Sequence, residues 1–127
     1  MKTYCFDVDG TICTKTNSDY EKALPIQKMV DKINKLYDNG HTIVIFTARG
    51  QSSGKEWTNF TLKQLKDWGL KFHRYYVKPS ADYYIDDKGI TPSQFLEHVQ
   101  EEESLVQQFY NWKIKIIKEK KKKKKKG

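Results

Sequence analysis

The sequence predicts an α/β fold: a three-layer, Rossmann-like domain around a mainly parallel sheet with no inserted second domain. Three observations predict it. Short β-rich runs alternate with amphipathic helical segments, the arrangement that gives parallel strands joined by right-handed crossovers. The run HTIVIF, His41 to Phe46, is β-branched or aromatic nearly throughout, as the buried centre of such a sheet requires. Polar residues then collect at the carboxyl ends of the strands, where ligands bind in open α/β sheets.

The elements follow in order. Lys2 to Phe6 reads as a buried strand that ends in the loop Asp-Val-Asp-Gly. After a polar stretch, Pro25 opens a helix whose apolar positions Ile26, Met29, Val30, Ile33, Leu36 and Tyr37 share one face, and Asn39-Gly40 stops it. HTIVIF is the second strand. A second helix runs from about Glu56 to Trp68, with Trp57, Phe60, Leu65 and Trp68 inward and Gly69 at its end. HRYYV from His73 and DYYI from Asp82 are the third and fourth strands. Thr91-Pro92, with Gln94 three residues after the threonine, is a capping box that starts a last helix through Phe95, Leu96, Val99 and Val106. The aromatic residues Trp57, Phe60, Trp68, Tyr75, Tyr83 and Tyr84 fall at helix or strand periods and read as core. With no repeats and no linker, residues 1–117 form one domain and residues 118–127 a tail.

Composition bounds the partners. A chain of 127 residues holds one core. It has no apolar run of about 18 residues, and its first residues lack a basic segment followed by an apolar one, so a cytoplasmic protein with no membrane partner is expected. Cys5 and Cys13 are too few and too close for a disulfide framework and read as reduced thiols, Cys5 in the core. The net charge of +8 is local: Lys118 and Lys120 to Lys126, set against Glu119, account for +7, which leaves the body nearly neutral. A lysine run cannot bury apolar surface and repels itself, so the tail is expected to be disordered and to hold nucleic acid only weakly, if at all. His41, His73 and His98 show no metal-ligand spacing.

Asp7 and Asp9 follow the first strand, Thr47 the second, Lys78 the third, and Asp86 and Asp87 the fourth. Crowded carboxylates repel, so they either take up protons or hold a cation. A hard divalent ion with oxygen ligands, Mg²⁺, is the natural counter-charge beside a substrate phosphate. Lys78 brings a compact positive charge for phosphate oxygens and Thr47 a hydroxyl. A calcium loop is excluded, because an EF-hand needs glycine at its sixth position and glutamate at its twelfth. Arg49, Ser52, Ser53 and Lys55 lie in a glycine-bounded loop after Thr47, which either contacts substrate or is solvated.

From Met1 to about Phe95 the chain resembles the haloacid dehalogenase superfamily of aspartate-dependent phosphatases. DVDGT from Asp7 is similar to that family's first motif, FTARG from Phe46 to its second, Lys78 in VKPSADYYIDD to its third and IDDKG from Ile85 to its fourth. A pattern such as D-x-D-G-T arises by chance in about one chain of this length in a thousand. The resemblance implies that Asp7 is the nucleophile and forms an aspartyl-phosphate, while Asp9 protonates the leaving alcohol and then activates water. It implies Mg²⁺ held by the Asp7 carboxylate, the Asp9 main-chain carbonyl and Asp86, with Asp87 direct or through water. Thr47 and Lys78 would neutralise the transferring group. Gly10, Thr11, Ala48 and Arg49 would lie on the substrate side, with Gly10 turning the loop and Thr11 fixing Asp9.

Thr14 to Leu24 and Leu70 to Val77 are too short to hold the cap domain that many members carry. An open site is expected, covered by a flap from Cys13 to Lys22 or by a neighbouring subunit of a homo-oligomer. The short layout, SDYEKALP in the flap and YIDDKGITPSQF after the third motif resemble the small capless group of bacterial capsule and surface-polysaccharide biosynthesis, which implies a small phosphorylated substrate such as a sugar phosphate. The 3′-phosphatase half of polynucleotide kinases has a similar layout. Outside enzymes, a phosphate-binding or scaffold module that lost turnover would keep the same fold.

Overall fold

The computed structural model describes residues 1–51, 53–97, 109–110 and 112–120, which divide between two compact units, Met1–Gly89 and Ile90–Gly127. In the first unit, β1 (Thr3–Phe6), β2 (Thr42–Thr47) and β3 (Arg74–Val77) form a parallel sheet in the order β1-β2-β3. Phe6 is opposite Ile45, and Thr47 is opposite Val77. The expected α/β fold with a parallel sheet is therefore present. β2 is central because its run is apolar on both sides: Ile43, Val44 and Ile45 are all buried.

Helix α1 (Gln27–Asp38) lies against β2 and buries Met29, Val30, Ile33 and Leu36. Each such side chain contributes roughly 1.5–3 kcal/mol by leaving water. The helix begins two residues after Pro25. Cys13 and Pro25 form an isolated antiparallel bridge, and the Ile26 N–H donates to the Ile12 carbonyl at 2.8 Å, so these residues fasten the first loop and are not free to start the helix. Helix α2 (Thr58–Asp67) buries Thr61 and Leu65, while Trp57, Phe60 and Trp68 are half-buried. Both helices end in the same way. His41 N–H returns to the Leu36 carbonyl and Gly40 N–H to Tyr37, and Leu70 returns to Leu65 and Gly69 to Lys66, two Schellman motifs. Asn34 then joins the helices' ends, with its amide donating to the Gly69 carbonyl and its oxygen accepting from Lys71 N–H.

Three expectations need correction. Residues 82–85 form no strand, and Tyr83, Tyr84 and Ile85 are exposed, so the two tyrosines are not core residues. β-rich composition permits a strand but does not supply a sheet edge. Here the Tyr84 hydroxyl donates to the Pro79 carbonyl at 2.6 Å, and this local bond folds the segment back on itself. Cys5 is exposed, since it alternates with buried Phe6 on β1, a strand at the edge of the described sheet.

In the second unit the capping box forms as read. Gln94 N–H donates to Thr91 Oγ1 at 3.1 Å, Thr91 N–H donates to Gln94 Oε1 at 2.9 Å, and residues 92–97 are helical. Residues 112–120 are also helical, and Lys118, Glu119 and Lys120 lie in that helix. His98, Val99, Val106 and Lys121 to Lys126 lie outside the described residues. Among the described residues no helix is long and apolar enough to cross a membrane.

The loop after β2 contains two glycines with left-handed backbone, Gly50 (φ +88°) and Gly54 (φ +70°). A Cβ on Gly50 would lie 2.3 Å from the Lys55 carbonyl oxygen, whereas one on Gly54 would meet nothing within 4 Å. Gly54→Ala should therefore cost only the left-handed backbone, about 1–2 kcal/mol. Gly50→Ala adds a backbone clash and should cost about 3 kcal/mol or more. Thermal denaturation of the two variants checks the order.

Candidate active site

The loop after β1 is built around Val8. Its side chain is fully buried, as are those of Ile12 and Cys13. Its carbonyl accepts the N–H groups of Thr11, Ile12 and Cys13 at 3.2, 2.9 and 3.2 Å, and Gly10, at φ +80°, returns its N–H to the Cys13 carbonyl. Burying Val8 between two acidic residues leaves Asp7 and Asp9 both half-exposed. A sequence of alternating acid and apolar residue thus becomes a pair of carboxylates over an apolar anchor.

Each carboxylate has its own cation. Lys78 Nζ lies 3.4 Å from Asp7 Oδ2, and the Lys78 side chain is only 12% exposed. It is held between two rings, with Nζ 4.3 Å from the Phe46 centroid and 4.0 Å from that of Tyr84. Its main-chain N–H donates to the Thr47 carbonyl, which fixes the lysine beside the end of β2. Arg49 serves Asp9: Nε donates to Oδ2 at 2.9 Å and Nη2 to Oδ1 at 2.8 Å, a two-point pair with a guanidinium that is fully buried. Nη1 donates to Gln64 Oε1 and Thr61 Oγ1 of α2. Arg49 is thus neither solvated nor turned outward. Ala48 and Thr11, in the loops after β2 and β1, are half-buried. Thr47 is buried, with Oγ1 accepting the Arg49 N–H at 3.2 Å.

Burial pushes the Asp7 carboxyl above its ordinary value, because the partial compensation from Lys78 and from the Val8 N–H does not cancel it. Burial would lower the pKa of Arg49, but the hydrogen bonds and charge of Asp9 outweigh it and raise it, so the guanidinium stays charged. Cys13 Sγ lies 3.5 Å from Asp9 Oδ1, and burial, followed by the charge of Asp9, pushes the thiol up to about 12.

The described structure does not bring Asp86 and Asp87 into a cluster with Asp7 and Asp9: no group of three or more histidine, cysteine or acidic residues is assembled among the described residues. Both aspartates are exposed, and Asp86 Oδ1 accepts the Lys88 N–H at 2.9 Å in a local turn that holds its carboxyl below the usual range. With no fourth strand over residues 82–85, the segment meets the end of the sheet through the Tyr84 ring on Lys78 and not through a strand ladder. The donors nevertheless suit a hard cation in kind, being oxygens throughout, and Asp7 is an anion whose burial is undercompensated. Two histidines serve the fold: His73 Nδ1 accepts the Ile43 N–H and His41 Nδ1 the Lys2 N–H. The sequence reading missed Thr61 and Gln64. Their three-residue spacing on one face of α2 was the available signal.

Comparison with known proteins bears on the family and the fold. The family profile described as haloacid dehalogenase-like hydrolase matches residues 4–127. Among solved structures, a structural-genomics target from Vibrio cholerae is similar at a TM-score of 0.70 with 26% identity, over 80% of this chain and 95% of that one. D,D-heptose 1,7-bisphosphate phosphatase from B. bronchiseptica, crystallised with magnesium and phosphate, is similar in fold at a TM-score of 0.50 with 18% identity, over 71% of this chain and 54% of that one. No curated protein sequence matches significantly.

Two predictions follow from the titrations. With Cys5 exposed and Cys13 buried and raised, a disulfide reagent at pH 8 should modify one thiol of the native protein, and two after unfolding. Cys5→Ser should reduce the native count to zero. Asp7 is raised in the folded state, so its contribution favours folding in acid and is lost as pH rises through its folded value. Metal-free Asp7→Asn should therefore unfold at a higher temperature than the parent at pH 7. The difference should close as the pH falls below the ordinary carboxyl value of 3.8.

Proposed function

We propose that this chain, which belongs to the haloacid dehalogenase-like hydrolase family, is a Mg²⁺-dependent phosphomonoester hydrolase in which Asp7 is the nucleophile and Asp9 the acid and base. The observation that carries this reading is the Asp7–Lys78 pair: a half-exposed, nucleophilic carboxylate whose oxygen lies 3.4 Å from an ammonium held by aromatic rings. A phosphate arriving at Asp7 meets that positive charge at once.

The residues divide the work by position. Asp7 attacks phosphorus and becomes an aspartyl-phosphate while Asp9 gives its proton to the departing alcohol oxygen. Asp9, now a carboxylate, takes a proton from water as the water oxygen attacks the same phosphorus, and Asp7 is released unchanged. Lys78 neutralises the transferring oxygens, and Thr47 holds the Arg49 main chain so that the second loop keeps its shape. Asp7, the Asp9 main-chain carbonyl, Asp86 and Asp87 would hold Mg²⁺, which when bound supplies positive charge to the phosphoryl oxygens.

A small phosphorylated substrate, a sugar phosphate or related metabolite of surface-polysaccharide biosynthesis, is favoured by the flap and fourth-motif resemblance and by the nearly neutral body, which has no large excess of positive charge to offer a polyanion. The enzyme acts in the cytoplasm on this reading.

Chelation should abolish hydrolysis of sugar phosphates, and Mg²⁺ should restore it. Asp7→Asn should form no phosphoenzyme, and Asp9→Asn should slow turnover by about 10²- to 10⁴-fold. Undiminished turnover in metal-free buffer, or by Asp7→Asn, would refute the mechanism. A rate on 3′-phosphorylated oligonucleotides above that on every sugar phosphate would refute the substrate class.

A further inference from the structure

Arg49 holds more than Asp9. The ring of Tyr20, in the short 3₁₀ turn Tyr20–Lys22 of the flap, lies 4.4 Å from the guanidinium carbon. Gln64, which accepts from Arg49 Nη1, donates through Nε2 to the Tyr20 main-chain carbonyl at 2.8 Å. The edge contact between Tyr20 and Trp57, 4.8 Å between centroids, fixes the ring from another side. Three segments of the chain, the nucleophile loop, the flap and α2, therefore meet on one buried cation.

We infer that Arg49 is a positioning residue that aims the Asp9 carboxyl for proton transfer, and that the flap locks it in that pose through Tyr20, so that covering the site and setting the acid are one event. The inference rests on the phosphomonoesterase reading above. A guanidinium fork fixes the plane of a carboxylate by taking one lone pair from each oxygen; Cys13 Sγ lies against the other side of Oδ1, which leaves Oδ2 as the oxygen to carry a proton. The proton on Asp9 passes to the leaving oxygen as the phosphorus–oxygen bond breaks and the bond to Asp7 forms, and the Asp9 carboxylate left behind stays in the same fork for the second step. A lysine has the charge but not the fork. The Tyr20 ring covers a guanidinium face that water would otherwise compete for, so opening the flap loosens the fork's support.

The test uses the full chain and two substrates of nearly equal shape, phenyl phosphate and p-nitrophenyl phosphate, whose leaving groups differ in their need for a proton. Arg49→Lys should lower kcat on phenyl phosphate by about 10²-fold, the scale for a misplaced group, and on p-nitrophenyl phosphate by less than about tenfold, with both KM values little changed. Tyr20→Leu should show the same pattern at smaller size, and Tyr20→Phe, which keeps the ring, should behave as the parent. The Tyr20 pair keeps the test open where Arg49→Lys does not fold. A second readout needs no turnover: trypsin should cut at the exposed flap residues Lys15 and Lys22 several-fold faster in Arg49→Lys and Tyr20→Leu than in the parent or Tyr20→Phe. Equal losses on the two substrates, or a Tyr20→Leu variant like the parent in both readouts, would overturn the inference. A parent protein inactive on both substrates would instead overturn the phosphatase reading and the proton-transfer half with it, and flap cleavage would still decide whether Arg49 holds the flap.

Discussion

Two carboxylates one residue apart cannot both stay ionised at the edge of a small core unless positive charge is brought to each, and much of the first unit serves that requirement. Lys78 comes from the end of β3 and Arg49 from the loop after β2, so the parallel sheet is what delivers two cations from distant sequence to one rim. Val8 keeps the two acids apart while it anchors the loop that carries them. Opposite charges within a few ångströms offset repulsion that neither acid could relieve alone.

The two pairs are not equivalent. Arg49 is fully buried and uses a two-point geometry, so loss of its carboxylate partner would strand a desolvated charge, typically a cost of about 3–5 kcal/mol. Lys78 touches a carboxylate that is 36% exposed at a single point, where solvent screens much of the attraction, and its rings supply a share of its support. The Asp9 side is therefore the rigid half of the site and the Asp7 side the adaptable one. On the mechanism proposed above, that division suits an acid that must be aimed and a nucleophile that must approach phosphorus.

Most of this arrangement was legible in the sequence because strong local signals carried it. An apolar run such as HTIVIF has few alternatives to a central strand, and Asn39-Gly40 and Gly69 mark helix ends by backbone geometry alone. Asp7, Asp9, Thr47 and Lys78 could be placed at one rim once the strands were ordered. What failed depended on partners that local sequence does not encode. DYYI has strand composition, but the Tyr84 hydroxyl found Pro79 and the segment stayed out of the sheet. Cys5 looked like core because strand residues often are, yet it faces outward from β1. Arg49 read as a loop residue facing substrate, since nothing in FTARG announces that Gln64 and Thr61 wait on α2 to bury it.

The flap is rooted by a short clasp: Thr14 N–H donates to the Leu24 carbonyl and Leu24 N–H to Thr14 Oγ1, both at 3.0 Å. Whatever lies between these two residues begins and ends at a fixed point on the domain, so its length is largely decoupled from the core. Doubling a closed loop costs only about 0.6 kcal/mol in chain entropy. An ancestor with this clasp could acquire a longer cover by insertion without disturbing Asp7 or Asp9, and so change the molecules it admits while keeping its chemistry. The clasp makes the flap the natural place for substrate range to evolve.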